Sequence, residues 1–132
     1  MKQEVTKRLL VKRSANKEMN YHCSVISTLR LFATKWKPCI ICYLAERSMR
    51  YNDLYRIIPN ISRKILSAHL KELETDGLID RIVYDRKLQK VEYRLSKKGG
   101  SLLSLLEQIQ NWGMNNINDV LSIREMLYVT IV

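Results

Sequence analysis

Lys64, Ser67 and Lys71 recur at intervals of three and four residues. If residues 62–75 form a helix, that spacing gathers them on one side, with Arg63 and Ala68 at its margins. Ile65, Leu66, His69, Leu70 and Leu73 then take the opposite side. Serine and alanine allow close approach to another molecule, and flanking lysine and arginine hold phosphate oxygens or guanine edges. A second cationic group, Arg86, Lys87 and Lys90, falls within the charged connector 85–90. Lys35 and Lys37 flank Trp36 just ahead of Pro38, where a helix start would offer further phosphate contacts. Taken singly, each of these is an ordinary solvated surface; their order along the chain gives them meaning.

The cysteines offer a different chemistry. Cys23 follows a basic segment and precedes Ser24, at the expected start of a helix. A thiol at a helix N-terminus among cations reacts faster with oxidants and electrophiles, so Cys23 is either a sensing thiol or a tolerated one. Cys39 and Cys42 have CxxC spacing within an apolar helix, and free buried cysteine behaves as a small hydrophobe, so both are expected in the core. Zinc would need two further ligands, and neither His22 nor His69 belongs to a second paired motif. No nucleophile–histidine–carboxylate arrangement, phosphate-cradling glycine loop or paired-carboxylate motif is apparent. Neither an enzyme nor a metal or other cofactor is expected.

The elements that would position these groups follow from periodicity. Residues 1–20 read as a loosely ordered basic arm, with a short helix around 5–11. Val25, Leu29, Leu31 and Phe32 predict a helix over 24–34. A second helix begins at Trp36-Lys37-Pro38 and runs to Glu46. A short third helix has Asn52 as its cap and Leu54, Ile57 and Ile58 turned inward. Ser62 caps the fourth, and Asp76-Gly77 stops it. Residues 78–84 and the alternating Val91-Glu92-Tyr93-Arg94-Leu95 make a β-hairpin with a basic tip. Ser96 opens a last long helix whose apolar seam holds Leu102, Leu103, Leu106, Ile109 and Trp112. This order is that of a winged helix-turn-helix, mainly α with a small β-hairpin wing.

Composition limits the alternatives. A chain of 132 residues and 15.6 kDa is one domain's length. Apolar residues at 46% and charged residues at 27% suit a globular protein rather than a disordered one. Three cysteines disfavour a disulfide scaffold and suit a reducing cytoplasm. No secretory signal or membrane span is expected. The net charge of +10 points to a polyanionic partner. Its surplus is uneven: residues 1–50 carry 11 Lys/Arg against 3 Asp/Glu, and residues 51–95 carry 9 against 7.

At the level of motifs the chain resembles a known family. Lys35-Trp36-Lys37, Ile61-Ser62-Arg63-Lys64-Ile65-Leu66-Ser67, the run 70–81 through Asp76-Gly77-Leu78 to Arg81, and Val91-Glu92-Tyr93-Arg94-Leu95-Ser96 are similar to the HxlR-type branch of the MarR-like winged-helix regulators. Ser96-Lys97-Lys98-Gly99 and Trp112-Gly113 extend the likeness over about residues 22–114. The resemblance implies a homodimeric bacterial transcriptional regulator that binds DNA, with helices from both ends of the domain at the dimer interface. It also aligns Cys23 with a cysteine near the start of many such proteins, several of which respond to oxidants or reactive carbonyls. Two departures stand out: Ala33-Thr34 replaces a glycine pair, and Lys87-Leu88-Gln89-Lys90 replaces a proline-containing wing tip.

A dimer also follows from the pattern itself. The apolar seam of the last helix continues through Ile117, Val120 and Leu121 beyond what one domain's core needs. Leu29, Phe32, Leu106, Ile109, Trp112, Ile117 and Leu121 are the expected interface residues, unless residues 115–132 fold back on their own domain. The expected partner is double-stranded DNA carrying a palindromic site. Rival readings are a sequence-tolerant architectural DNA protein, a winged-helix module that binds other proteins, and a metal-responsive repressor using Cys39 and Cys42.

Overall fold

The computed structural model describes residues 2–12 and 21–116. At the N-terminus, helix α1 (Lys2–Leu9) leads into strand β1 (Leu10–Lys12), which pairs antiparallel with β2 (Tyr21–Cys23), Leu10 lying opposite Cys23. The expected loose arm is therefore largely structured over its described part. Three-residue strands are too short to show an alternating pattern, and their pairing is a long-range outcome that local sequence does not signal.

Four helices follow: α2 (Ser24–Phe32), α3 (Lys37–Glu46), α4 (Tyr51–Ile57) and α5 (Arg63–Thr75). Then come the hairpin β3 (Ile79–Asp85) and β4 (Lys90–Leu95) and the long helix α6 (Lys97–Asn116). This is the winged helix-turn-helix order. Helix α3 starts where the Lys37 amide donates to Thr34 Oγ1 at 3.1 Å, with Pro38 in the first turn where its missing N–H costs nothing. Ser62 caps α5: its Oγ accepts from the Ile65 amide at 3.1 Å. Gly77, at φ +76, turns the chain out of α5 in the left-handed region that glycine tolerates. The expected cap of α4 is displaced. Arg50 is the N-cap, its amide donating to Asp53 Oδ2 at 3.4 Å, and Asn52 lies within the first turn.

The core is a single cluster contributed by every element from α2 to β3. It holds Phe32, Ile40, Ile41, Leu44, Met49, Leu54, Ile58, Ile61, Leu66, Leu70, Leu73, Leu78 and Ile79. Leu66, Leu70 and Leu73 hold the inner stripe of α5, whereas Ile57 and Ile65, expected inside, lie on the surface. The period of α4 favours Leu54 and Ile58 instead, four residues apart on one side. Ser96 fastens the wing to α6: its Oγ donates to the Gly77 carbonyl at 2.6 Å and accepts from the Gly99 amide at 2.9 Å. Gly99 packs so tightly that a Cβ would collide with the Leu78 carbonyl oxygen, so only glycine lets α6 approach the start of β3.

Two cysteine expectations are corrected here. Cys39 and Cys42 are free and exposed, not in the core. Helix α3 is apolar almost all round, so its sequence does not mark which stripe faces inward; Ile40, Ile41 and Leu44 occupy it.

Candidate nucleic-acid interface

Helix α5 presents Arg63, Lys64, Ser67, Ala68 and Lys71 to solvent, all five exposed as its apolar stripe requires. Thirteen residues give a rod about 20 Å long, suited to the B-DNA major groove. Two of these side chains are held in place by α4. Ser67 Oγ donates to Tyr51 Oη at 3.2 Å, and Tyr51 Oη donates to the Arg63 carbonyl at 3.0 Å. The Arg63 guanidinium lies 4.2 Å from the Tyr55 ring centroid and 5.8 Å from that of Tyr51. Its Nη1 donates to Asn52 Oδ1 at 3.5 Å. Arg63 is thus a preorganised cation against two aromatic faces, whereas Lys64 and Lys71 form no ion pair among the described residues.

The wing is built by β3 and β4 with a register shift between Val83 and Asp85. At its tip Asp85 Oδ1 accepts from the Lys87 amide at 2.8 Å and the Leu88 amide at 3.4 Å, and Gln89 adopts φ +48. An aspartate turn thereby shapes a wing tip that lacks proline. Arg86 and Lys87 are exposed on the tip; Lys90 opens β4 with its ammonium 5.4 Å from the Tyr84 ring.

Between wing and α4 lies an open cleft of about 680 Å³ that includes Arg50, Asn52, Arg81, Arg86 and Gln89 in its walls. Met49 creates it by pairing with Tyr93 as a one-residue third strand, with N···O distances of 2.9 and 2.7 Å. That bridge brings Arg50, at the entry of α4, to the side of the hairpin carrying Arg81. Arg50, Arg81 and Arg86 all line this open cleft and make no ion pair among the described residues. Arg50, Tyr51, Asn52, Tyr55 and Arg81 are not among the DNA-contact residues expected from sequence. The available signal was a polar, aromatic face on the short helix preceding α5.

The two lysines beside Trp36 part company. Lys35 is exposed, its ammonium 4.8 Å from the Trp36 ring. Lys37 is only 4% exposed and its Nζ lies 2.6 Å from Glu72 Oε2, so it is removed from the expected phosphate contacts. Hydrogen bonding and charge from Lys37 hold the Glu72 carboxyl below its usual range, with a smaller contribution from His69. The half-buried His69 has Nδ1 3.7 Å from the same carboxylate and without a hydrogen bond.

Away from this face, Cys23 is half-buried, ends β2 and is the N-cap of α2. Next to it, Ser24 Oγ donates to the Leu9 carbonyl at 2.7 Å, linking α2 to the end of α1. The expected interface residues fall into three groups. Leu29, Ile109 and Trp112 are exposed, Trp112 to 66%. Leu106 is half-buried against the core, and Phe32, 3% exposed, belongs to the core and offers no surface to a second chain. Ile117 and Leu121 lie outside the described residues. No group of three or more His, Cys, Asp or Glu side chains suited to a metal occurs among the described residues.

With this geometry established, known proteins supply a frame. The profile of the HxlR-like helix-turn-helix family matches residues 31–120. YtcD of Bacillus subtilis, an HTH-type transcriptional regulator, is 46% identical over 100 residues, 76% of this chain and 79% of its own. The crystal structure of ytcD aligns over 74% of this chain and 99% of that one, at a TM-score of 0.68 and 43% identity. The redox regulator HypR in its reduced form aligns at a TM-score of 0.67 and 35% identity, over 74% of this chain and 97% of its own.

Proposed function

This chain belongs to the HxlR-like helix-turn-helix family of transcriptional regulators, and from that premise we propose that it binds a palindromic operator in duplex DNA as a homodimer. The observation that carries this reading is a set of exposed cations on α5, the wing tip and the cleft wall, none of them in an ion pair among the described residues. Arg63, Lys64, Ser67, Ala68 and Lys71 on α5 enter the major groove. Arg86, Lys87 and Lys90 on the wing reach the flanking backbone or minor groove, with Lys35 at the edge. The cleft between the wing and α4, with Arg50 and Arg81, receives a phosphate of the strand that crosses from α5 to the wing. The dimer forms through Leu29, Leu106, Ile109 and Trp112 on α2 and α6, and the protein acts in the cytoplasm. No helix among the described residues is long and apolar enough to cross a membrane.

Salt dependence tests the phosphate assignments. Each contacted phosphate contributes about 0.9 to the slope of log affinity against log salt. Lys71→Ala and Arg81→Ala are each expected to weaken binding to all sequences alike and to flatten that slope by about one such step. An unchanged slope removes the residue from the contact set.

A second layer concerns Cys23, and the likeness to a redox regulator favours it. Oxidation or alkylation of Cys23, at the junction of the N-terminal hairpin and α2, shifts α2 at the dimer face and so the spacing of the two reading helices. Oxidant treatment is expected to lower operator affinity in the native chain and to spare Cys23→Ser. Unchanged affinity with every thiol oxidised contradicts this layer and leaves DNA binding itself untouched.

A further inference from the structure

Arg63 differs from the other cations of α5 in how it is held. It is the first residue after the Ser62 cap and is exposed, with its guanidinium carbon 4.2 Å from the Tyr55 ring centroid and 5.8 Å from that of Tyr51. Asn52 Oδ1 accepts from its Nη1 at 3.5 Å. All three partners stand on α4, and Tyr55 is half-buried against the core, so this seat is fixed to the body of the domain. Lys64 and Lys71 have neither a ring contact nor an ion pair among the described residues, and are flexible point charges.

That contrast separates two kinds of DNA contact. A phosphate accepts a cation from many directions, so a flexible lysine serves there. A guanine edge instead presents two acceptors, O6 and N7, in one plane, and a guanidinium meets both only when its own plane is set. Setting that plane before binding removes rotamer entropy that a loose side chain would lose on contact. Asn52 takes one of the guanidinium N–H groups and leaves the others for a two-point contact. In a helix-turn-helix the N-terminal residues of the second helix meet base edges, and Arg63 occupies that position on α5.

We propose that Arg63 reads one guanine in each half-site through O6 and N7, that Tyr55 is the positioning residue that sets its guanidinium, and that Lys64 and Lys71 serve phosphates. This rests on the operator-binding reading and adds to it a base and a positioning residue.

Selection from random duplex DNA, with the full chain and three variants, tests it. The native motif is expected to hold one guanine per half-site that is preferred roughly tenfold or more over other bases. Arg63→Ala and Tyr55→Leu, verified as folded by circular dichroism, are expected to flatten that position alone. Tyr55→Phe, which keeps the ring, is expected to retain the preference. The salt slope of Arg63→Ala should match that of the native chain, whereas a lost phosphate contact would flatten it by about 0.9. Replacing the guanine by 7-deazaguanine, which lacks the N7 acceptor, is expected to weaken the native chain and to leave Arg63→Ala unaffected. An unchanged motif with Arg63→Ala, an equal loss on all sequences with a flatter slope, or a guanine preference kept by Tyr55→Leu overturns the proposal and leaves operator binding standing. A native chain that enriches no motif contradicts operator binding itself and this assignment with it.

Discussion

Tyr51 carries the most consequential polar contact at the residue scale, because one hydroxyl joins the backbone at the start of α5 to Ser67 on its reading face. Ser67 is small enough to approach base edges, and Tyr51 holds it by accepting its hydrogen bond. Tyr51→Phe keeps the ring beneath Arg63 and deletes only this relay. A net hydrogen bond is worth about 1 kcal/mol, roughly a fivefold change in affinity. The expected result is a loss of about that size for the preferred sequence, with binding to bulk DNA and the salt slope unchanged. Competition binding measures it. Equal loss on all sequences means that Tyr51 serves stability rather than readout. None of this relay was visible in the sequence, since its partners lie 12 and 16 residues from Tyr51 and a lone tyrosine on a short helix has many uses. The exposed cations of α5, by contrast, were legible, because helical periodicity alone decides which side the leucines leave free.

Elements are held together mostly by apolar packing, with one polar tether between α3 and α5. Burial leaves Lys37 dependent on Glu72, the charged group beside its ammonium at 2.6 Å, while Glu72 stays half open to water. The folded carboxyl titrates below its unfolded value, so the tether is fully present above the unfolded value near 4.5 and is lost as pH falls through the folded one. Glu72→Gln is therefore expected to destabilise the protein at pH 7 by less than the about 3–5 kcal/mol of a fully buried broken pair. The difference from the native chain should shrink in acid. Urea unfolding at neutral and acidic pH measures this, and a gap independent of pH contradicts it. In sequence, Lys37 reads as a surface cation at a helix start, and its partner in a helix far along the chain has no local signature. Ser62 and Gly77, whose roles are local, were read correctly from neighbouring residues. The cleft arginines divide the same way: Arg86 was legible at a hairpin tip, whereas Arg50 meets the wing only because Met49 pairs with Tyr93.

At the scale of the whole molecule, the exposed apolar residues expected to pair and the cations expected to read DNA lie on different elements. Leu29, Ile109 and the largely exposed Trp112 are on α2 and α6, whereas the exposed cations of the reading surface are on α5, the wing and the entry of α4. A protein that reads DNA with one face and pairs through another places two reading helices about one duplex turn apart, near 34 Å. The net charge of +10 draws the chain to any polyanion, but it does not choose a sequence. That choice belongs to the few side chains of α5 and to the spacing set by the dimer. Selection of bound sites from a pool of random duplex DNA tests both together. The expected product is an enriched, two-fold symmetric motif whose half-sites lie about one helical turn apart, bound at least roughly 10³-fold more tightly than bulk DNA. Recovery of unenriched sequence, or of a single half-site without symmetry, would contradict a dimeric, sequence-specific regulator.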